Sequence, residues 1–426
     1  MNICFQGIRI LNPAQSLDIV SNLWIKDGII KDISENCQCE TETEIINAKG
    51  LTALPGLFDM HVHFREPGHE YKEDLESGMN AAANGGFTGV LIMPNTNPPI
   101  HDKTVVEYIK SKVKGNLVEV YVSGTITQNQ DGSHISNMLE LNENGVVLFT
   151  DDGRSVLSSD VMKRALEYAA PLDLLISQHC EDHTLTNNFD MNESEMSIKL
   201  GLKGYPSVAE EIILFRDIAL AEYCGNRRYH AQHISTKGAV DLIRNAKSKG
   251  LRVTCEVTPH HFSLDDKEIS SYDSNYKMNP PLRTKKDIEA IIEGLIDGTI
   301  DVIASDHAPH SKLEKDVEFD KAPNGIIGLE TSFAVCNNYL VQTKLLSLEQ
   351  LIEKLSINPR KILNLQPIEI NKDKTANLTI VDLNEEWIVD SNKFLSKSTN
   401  SPFVNKKLIG KVKYTINNSK IHQSTL

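Results

Sequence analysis

The chain has 426 residues, enough for about three average domains or for one large barrel with additions. It carries 44 lysines and arginines against 58 aspartates and glutamates, and the net charge of −14 argues against nucleic acid or an anionic membrane as the main partner. With 40% hydrophobic and 24% charged residues, the composition is that of a core-forming globular protein and excludes extended disorder.

The cysteines and the N-terminus predict a cytoplasmic compartment. The seven cysteines are odd in number and scattered, and no C-x-x-C motif occurs, so we expect reduced thiols, with neither a disulfide framework nor a cysteine-rich zinc site. The first eleven residues lack the basic and apolar regions of a signal peptide. No apolar run approaches the ~18 residues that a membrane helix needs.

The two ends of the chain predict one small β domain. Residues 3–10 and 23–33 alternate like strands, and the Asp27-Gly28 turn signal interrupts the second segment. Three further strand-like segments lie near the C-terminus, at 376–381, 386–389 and 411–416. Because neither end has enough apolar surface for its own core, residues 1–53 and 366–426 are expected to form a composite β-sandwich domain.

Residues 54–365 predict a (β/α)8 TIM-type barrel. Eight short apolar segments alternate there with helical patterns, at 57–63, 87–94, 117–124, 145–151, 174–180, 228–234, 252–258 and 301–306. In one helical pattern, apolar residues at 239, 242, 243 and 246 follow the spacing of one helix face. The competing architecture is an open doubly wound sheet, which usually has a glycine fingerprint after its first strand, where this chain has histidines.

Metal-capable residues recur where the predicted strands end, the edge at which barrels carry their chemistry. His61 and His63 are two residues apart on strand one, so their side chains share a face and could bind a divalent ion. Asp306 ends strand eight, where a carboxylate could accept a proton from water and return it to a leaving nitrogen. An H-x-H pair alone is a weak signal, and an aspartate here could instead cap a helix.

Single histidines end strands five and six. His179 and His233, each by itself, would be read first as a core histidine satisfied by a hydrogen bond. His230 lies three residues before His233, which places it on the opposite face of a strand, so only His233 is a candidate ligand. Together with the residues of strands one and eight, these histidines form a strong joint signal.

The motifs at these strand ends resemble the amidohydrolase superfamily and, more closely, the long-chain class I dihydroorotases. They run in the same order along essentially the whole chain, as 59–68 (DMHVHFREPG), 93–96 (MPNT), 151–153 (DDG), 179–181 (HCE), 233–236 (HIST), 279–283 (NPPLR), 306–310 (DHAPH) and 325–331 (GIIGLET). The resemblance implies one or two Zn²⁺ ions, ligated by His61, His63, Asp152, His179, His233 and Asp306.

Strand four is the informative departure within the superfamily. Many amidohydrolases bridge two ions with a carboxylated lysine there, whereas residues 145–152 contain no lysine. The resemblance to class I dihydroorotases then implies that Asp152 bridges the ions, and that Asp151 has a supporting or structural role. The missing lysine counts against a hydantoinase or a class II dihydroorotase.

The resemblance also implies a substrate site. Its members would be Arg65, Asn95 and His310 on the substrate carboxylate, Asn279 on the ring amide, and the backbone of Pro323 and Gly325 on the pyrimidine ring. An arginine suits this role because its guanidinium can pair with a carboxylate through two hydrogen bonds. From the residues alone, Asn279 reads first as a turn residue before two prolines.

The implied activity is the reversible cyclisation of N-carbamoyl-L-aspartate to L-dihydroorotate in pyrimidine biosynthesis, with Asp306 as the acid and base. A homodimer is expected, and association with aspartate transcarbamoylase is possible. One alternative is a related cyclic-amide hydrolase of the allantoinase or dihydropyrimidinase type. Another is an inactive dihydroorotase-like scaffold for aspartate transcarbamoylase, although such chains typically lose metal or acid residues and this one retains them.

Overall fold

The computed structural model describes all residues, 1–426. The β-strands are β1 Asn2–Asn12, β2 Leu17–Lys26, β3 Ile29–Ser34, β4 Glu44–Asn47, β5 Leu51–Pro55, β6 Leu57–Val62, β7 Phe87–Ile92, β8 Glu119–Gly124, β9 Val146–Phe149, β10 Ile176–Gln178, β11 Met191–Asn192, β12 Gly204–Tyr205, β13 Tyr229–Ala231, β14 Val253–Val257, β15 Val302–Ile303, β16 Leu378–Ile388, β17 Lys407–Asn417 and β18 Lys420–Gln423. The α-helices are α1 Leu75–Asn84, α2 Lys103–Val113, α3 Met138–Glu143, α4 Ser159–Ala169, α5 His183–Thr186, α6 Glu195–Leu200, α7 Val208–Tyr223, α8 Lys237–Ser248, α9 Pro259–Ser263, α10 Lys285–Ile296, α11 Lys312–Lys315, α12 Ser332–Cys336, α13 Leu348–Ile352 and α14 Asn358–Ile362.

The predicted barrel is confirmed. Its eight strands pair in parallel in the order β15-β14-β13-β10-β9-β8-β7-β6, each inside or close to a segment that the sequence predicts. The ring closes at its mouth through His307, which follows β15 and bridges to Val62 in parallel. The backbone N–H of His63 donates to the carbonyl of His307 at 2.8 Å. The carboxyl ends of all eight strands therefore meet around one opening.

Apolar side chains fill the barrel below that opening. Nine buried residues from strands on opposite sides of the ring, and from the α14 end, pack together: Phe58, Met60, Leu91, Met93, Leu148, Leu175, Val302, Ala304 and Leu363. The helices cover the outside. On α8 the predicted face is buried through Ala239, Ile243 and Ala246, and Gly250 follows the helix with a positive φ of 75°. The interior is thus a packed core that supports the mouth.

The strands at the two ends of the chain, which the sequence predicts to be a composite β-sandwich, form a single eight-stranded sheet. Its order is β18-β17-β16-β5-β1-β2-β3, with β4 paired to β1. The junction is the antiparallel pairing of β16 with β5, where Ile380 lies opposite Ala53. A separate core of 14 buried residues includes Phe5, Ile25 and Ile380. The sheet therefore folds around an apolar core to which both ends contribute. None of the helices has the length and apolar character needed to cross a bilayer.

Candidate active site

An irregularity in β6 turns two histidines toward the mouth. Phe58 and Met60 point into the barrel core, so strict alternation would turn His61 and His63 the other way. The pairing of β6 with β7 shifts register after Asp59. The Asp59 carboxylate accepts the backbone N–H of His61 at 3.0 Å and stabilises this local geometry. The shift lets one strand supply core residues first and site residues at its end.

Asp152 lies between two pairs of histidines. Its Oδ1 is 3.4 Å from Nε2 of His61, and its Oδ2 is 3.5 Å from Nε2 of His63. On the other side, Oδ1 is 3.9 Å from Nε2 of His233. Two sets of ligand atoms, that of Asp152 with His61 and His63 and that of Asp152 with His179 and His233, each lie within 4.8 Å of one another. The carboxylate of Asp152 therefore belongs to both groups of metal-capable side chains.

Asp306 faces His61 and His63 across the mouth of the barrel. Its Oδ1 is 3.0 Å from Nε2 of His63 and 3.5 Å from Nε2 of His61. Its backbone adopts a left-handed φ of 48°, and Arg65 and His233 have φ values of 60° and 26°. Residues without glycine's freedom rarely adopt such angles, and they concentrate at sites where the surrounding structure holds a side chain in place.

The buried charges compensate one another. Burial alone would raise the pKa of Asp152 and Asp306, but the surrounding histidines outweigh it and hold both pKa values well below their usual range. Burial opposes protonation of His61, yet the carboxylates of Asp152, Glu256 and Asp306 raise its pKa well above the usual value. Burial, with the neighbouring histidines, lowers the pKa of His233 to about 3, which keeps its imidazole neutral as a metal ligand requires.

The cluster has the unsatisfied atoms that a cation would engage. Nε2 of His61 and Oδ1 of Asp152 are buried and have no hydrogen-bond partner. Nδ1 of His179 faces Nε2 of His233 at 3.0 Å. Buried polar atoms are rarely left without a partner, because the loss of hydration is costly. Imidazole and carboxylate donors in this arrangement fit zinc or a similar divalent ion.

Glu256 on β14 orients His61, a role that the sequence analysis missed. Its Oε1 is 2.6 Å from Nδ1 of His61, and its Oε2 is 3.2 Å from Nε2 of His230. His230 therefore supports the site from behind, and it is not turned into the mouth. Although burial opposes it, His61 and His230 lower the pKa of Glu256 to about 2. The available sequence signal for this role was a single acidic residue, Glu256, in the middle of the predicted strand 252–258.

Glu181 orients His179 in a similar way. Its Oε2 is 2.9 Å from Nε2 of His179 and accepts a hydrogen bond from Nδ2 of Asn279 at 2.8 Å. Asn279 is therefore part of the site and not only a turn residue, and its Oδ1 has no partner in the protein. Glu181 lies two residues beyond His179, so the H-C-E motif already contained this partner.

A cavity of about 250 Å³ opens over these groups. The predicted substrate residues that line it are Arg65, Asn95, Asn279, His310 and Gly325. Pro323 does not line it, and its carbonyl accepts a hydrogen bond from Nζ of Lys315 at 3.0 Å. Asn95 is held on both sides, with its Oδ1 2.9 Å from Nδ1 of His63 and its Nδ2 donating to Asp152 at 3.2 Å.

Arg65 and His310 make one wall of the cavity suited to an anion. Nε of Arg65 donates to the carbonyl of Pro309 at 3.2 Å, which leaves its outer nitrogens for a ligand. Burial and the nearby cations Arg65 and Lys72 lower the pKa of His310 to about 2, so this imidazole is neutral. Its Nε2 lies 2.8 Å from the carbonyl of Asn324. The wall therefore combines a cationic fork with neutral polar groups.

Comparisons with known proteins agree on one family. A family model described as dihydro-orotase-like matches residues 50–239. A dihydroorotase of Acetivibrio thermocellus is 47% identical over 417 residues, which covers 98% of this chain and 97% of that protein. A dihydroorotase of Geobacter metallireducens is 46% identical over 422 residues and covers 99% of each chain.

Solved structures support the fold. An L-hydantoinase (dihydropyrimidinase) from Arthrobacter aurescens superposes with a TM-score of 0.86 at 24% identity, covering 100% of this chain and 96% of that one. A dihydropyrimidinase from Brevibacillus agri has a TM-score of 0.84 at 20% identity, covering 100% and 95%. At these identities the likeness concerns architecture.

Proposed function

The chain belongs to the dihydroorotase family, and from that premise we propose how its own residues catalyse the reversible cyclisation of N-carbamoyl-L-aspartate to L-dihydroorotate in pyrimidine biosynthesis. The protein is a cyclic amide hydrolase. One observation carries the residue assignment: the cavity that exposes the histidine and aspartate cluster also exposes Arg65. A ligand can therefore place an amide at the cluster and a carboxylate on the arginine together.

We propose that the centre holds one or two divalent ions, with zinc as the resident metal. Its ligands would be His61, His63, Asp152, His179, His233 and Asp306. The unpartnered Nε2 of His61 and Oδ1 of Asp152 support this assignment. When bound, the metal supplies Lewis acidity that activates water and polarises the amide carbonyl. Glu256 and Glu181 keep two of the imidazoles oriented, as carboxylate partners of metal-binding histidines commonly do.

Asp306 is assigned the proton transfers. Its lowered pKa keeps the carboxylate ionised before reaction, so it can accept a proton from the attacking water. In ring opening it passes that proton to the departing ring nitrogen. In ring closure it accepts a proton from the attacking carbamoyl nitrogen, and returns a proton to the departing oxygen. The constrained backbone at Asp306 supports this role because it limits where the carboxylate can point.

Arg65 and His310 are assigned to the carboxylate of the substrate. The guanidinium of Arg65 presents its outer nitrogens to the cavity, and a planar fork matches a carboxylate with two hydrogen bonds. His310 and Asn95 flank it, while Oδ1 of Asn279 and the backbone at Gly325 face the ring. These contacts act away from the reacting carbon and contribute by holding it in place.

The cavity wall and the metal-capable cluster also weigh against the two alternatives, a related cyclic-amide hydrolase and an inactive scaffold. A hydantoin or dihydropyrimidine ring lacks the carboxylate that would engage the buried guanidinium of Arg65, so that cation would stay unpaired. An inactive scaffold would have no use for the compensated cluster, whose metal-capable side chains are all present. Both alternatives are therefore less favoured than the main assignment.

The deciding experiment combines metal analysis with activity. The purified protein is assayed with dihydroorotate, N-carbamoyl-aspartate, hydantoin and allantoin, before chelation, after chelation and after reconstitution with Zn²⁺. We expect turnover in both directions with dihydroorotate preferred, loss of activity on chelation and recovery with zinc. Faster turnover of hydantoin or allantoin would overturn the substrate assignment. Full activity in metal-free protein would overturn the role of the metal.

We also propose a cytoplasmic homodimer that can associate with aspartate transcarbamoylase. Exposed apolar side chains on α7, Val208, Ile212 and Phe215, support self-association because they leave apolar surface in water. Light scattering should report twice the chain mass of 47.5 kDa. A monomeric mass at working concentration would contradict the dimer, and separate elution from added aspartate transcarbamoylase would contradict the association.

A further inference from the structure

Three of the seven cysteines come together in the small β domain, and none of them lines the cavity at the mouth of the barrel. Cys4 lies on β1, and Cys37 and Cys39 lie in the loop between β3 and β4. One sulfur from each lies within 4.8 Å of the other two, and the Sγ atoms of Cys37 and Cys39 are 3.5 Å apart. From the sequence we expect no cysteine-rich metal site, because the cysteines are odd in number and scattered, and no C-x-x-C motif occurs.

The pairing of the strands explains the meeting. β4 lies parallel to β1, with Ile45 opposite Cys4, so the preceding loop must pass close to β1. Ile3 and Phe5 belong to the core of the small domain, whereas Cys4 points to the other face of the sheet. Cys4 is nevertheless buried, at 1% exposure. Cys37 and Cys39 are half-buried, so the three thiols lie together at a place that solvent can reach.

We propose that Cys4, Cys37 and Cys39 form a binding site for one thiophilic metal ion, such as Zn²⁺ or Cu⁺. A tetrahedral ion with Zn–S bonds of about 2.3 Å separates its sulfurs by about 3.8 Å. The Sγ atoms of Cys37 and Cys39, 3.5 Å apart, are already close to this value, and Cys4 lies within 4.8 Å of both, so a shift of at most about 1 Å would complete the site. Thiolates prefer zinc and monovalent copper over harder ions such as Mg²⁺. The site is therefore chemically distinct from the histidine and carboxylate cluster.

The charge around the thiols favours a cation. Residues 35–44 contain four glutamates and no lysine or arginine. Glu40 is the one that pairs with a basic side chain, Lys26, at 2.7 Å. The acidic loop would attract a positive ion to the thiols. Cys37 and Cys39 are half-buried, so a water molecule could complete the four-coordinate shell that zinc prefers.

A disulfide is the competing use of these thiols. The nucleophile in disulfide chemistry is the thiolate, and burial together with the neighbouring Cys39 thiol raises the pKa of Cys4 to about 12. A neutral thiol reacts slowly in exchange, whereas a bound metal ion lowers the pKa of its thiol ligands and displaces their protons on binding. A bound ion instead needs all three sulfurs at once, which matches their mutual proximity. The ion would tie the β3–β4 loop to β1 and stabilise the small domain.

The test uses Cd²⁺ as the probe on the reduced, zinc-loaded full-length protein. Cadmium bound to thiolates shows ultraviolet sulfur-to-metal charge-transfer absorption, which histidine and carboxylate ligands do not produce. We expect the band to saturate at one equivalent per chain. The double variant Cys37→Ser/Cys39→Ser should lose it, and Cys224→Ser, a half-buried cysteine at the end of α7, should retain it. The melting temperature should rise with Cd²⁺ in the wild-type protein but not in the double variant.

Three results would overturn the proposal. The first is a titration without the charge-transfer band, and the second is a band that survives in the double variant. The third is a protein, prepared without reductant, whose intact mass is lower by two hydrogens and whose peptide map places the disulfide between two of these three cysteines. Dihydroorotase activity of the double variant is measured in parallel, so that a folding defect is distinguished from the loss of metal binding.

Discussion

The molecule contains two clusters of metal-capable side chains with opposite designs. At the barrel mouth, imidazoles and carboxylates from five different strand ends neutralise one another beneath a cavity of about 250 Å³. In the small domain, three thiols meet beside a sheet, and the group contains no imidazole or carboxylate. The first cluster has the open face of a catalytic centre, whereas the second has the thiol donors typical of structural zinc sites. The two clusters differ in ligand type and in access for a substrate more than in their ability to bind a metal ion.

The largest effect is expected from the variant Asp306→Asn at the barrel mouth. The amide keeps the size of the side chain but cannot accept a proton, so turnover in both directions should fall by about 10³-fold. Steady-state rates with dihydroorotate and N-carbamoyl-aspartate measure the loss. Circular dichroism and metal content control for folding and for the metal. Activity within a factor of ten of wild type, with metal bound, would contradict the proton-transfer role.

Glu256→Gln tests whether the mouth depends on its supporting carboxylate. The substitution removes the negative charge beside Nδ1 of His61 and should lower metal affinity by about 10–100-fold. Competition with a chromophoric chelator measures the affinity. Glu211→Gln, a half-buried glutamate on α7, is the matched control and should leave the affinity unchanged. An unaltered affinity in Glu256→Gln would show that the hydrogen bond does not support the metal centre.

Arg65→Lys tests the cavity wall that is assigned to the substrate carboxylate, a feature that the thiol cluster lacks. Lysine keeps the positive charge but loses the planar fork, so KM for dihydroorotate should rise by about tenfold with a smaller change in kcat. Arg252→Lys alters an exposed pair with Asp173 and should change neither parameter. An unchanged KM in Arg65→Lys would remove the arginine from the substrate site.

The smallest effect is expected from the thiol cluster on catalysis. Because the small-domain core is separate from that of the barrel, Cys37→Ser/Cys39→Ser should keep kcat/KM within about twofold of wild type. Full kinetics at saturating zinc measure this. A larger loss, in a variant whose circular dichroism matches that of wild type, would show that the two clusters are coupled.

Much of the site could be predicted because its chemistry follows local features of the chain. Strand ends are recognisable from alternation and turn signals, and His61, His63 and Asp306 lie at such ends. The barrel fold then implies that these ends meet, which the closed ring of β6 to β15 confirms. The catalytic and binding roles of these residues stay predictions that the variants above test.

The sequence by itself determined the eight alternating units, the pairing of the two chain ends and the candidate ligands, because each depends on short-range periodicity or on a resemblance of motifs. Only the tertiary structure decided which partners lie across from them. The register shift in β6, the contact of Glu256 with His61 and the meeting of Cys4 with Cys37 all depend on which strands become neighbours. Neighbours across a sheet are set by long-range pairing, and no local pattern in the chain records them.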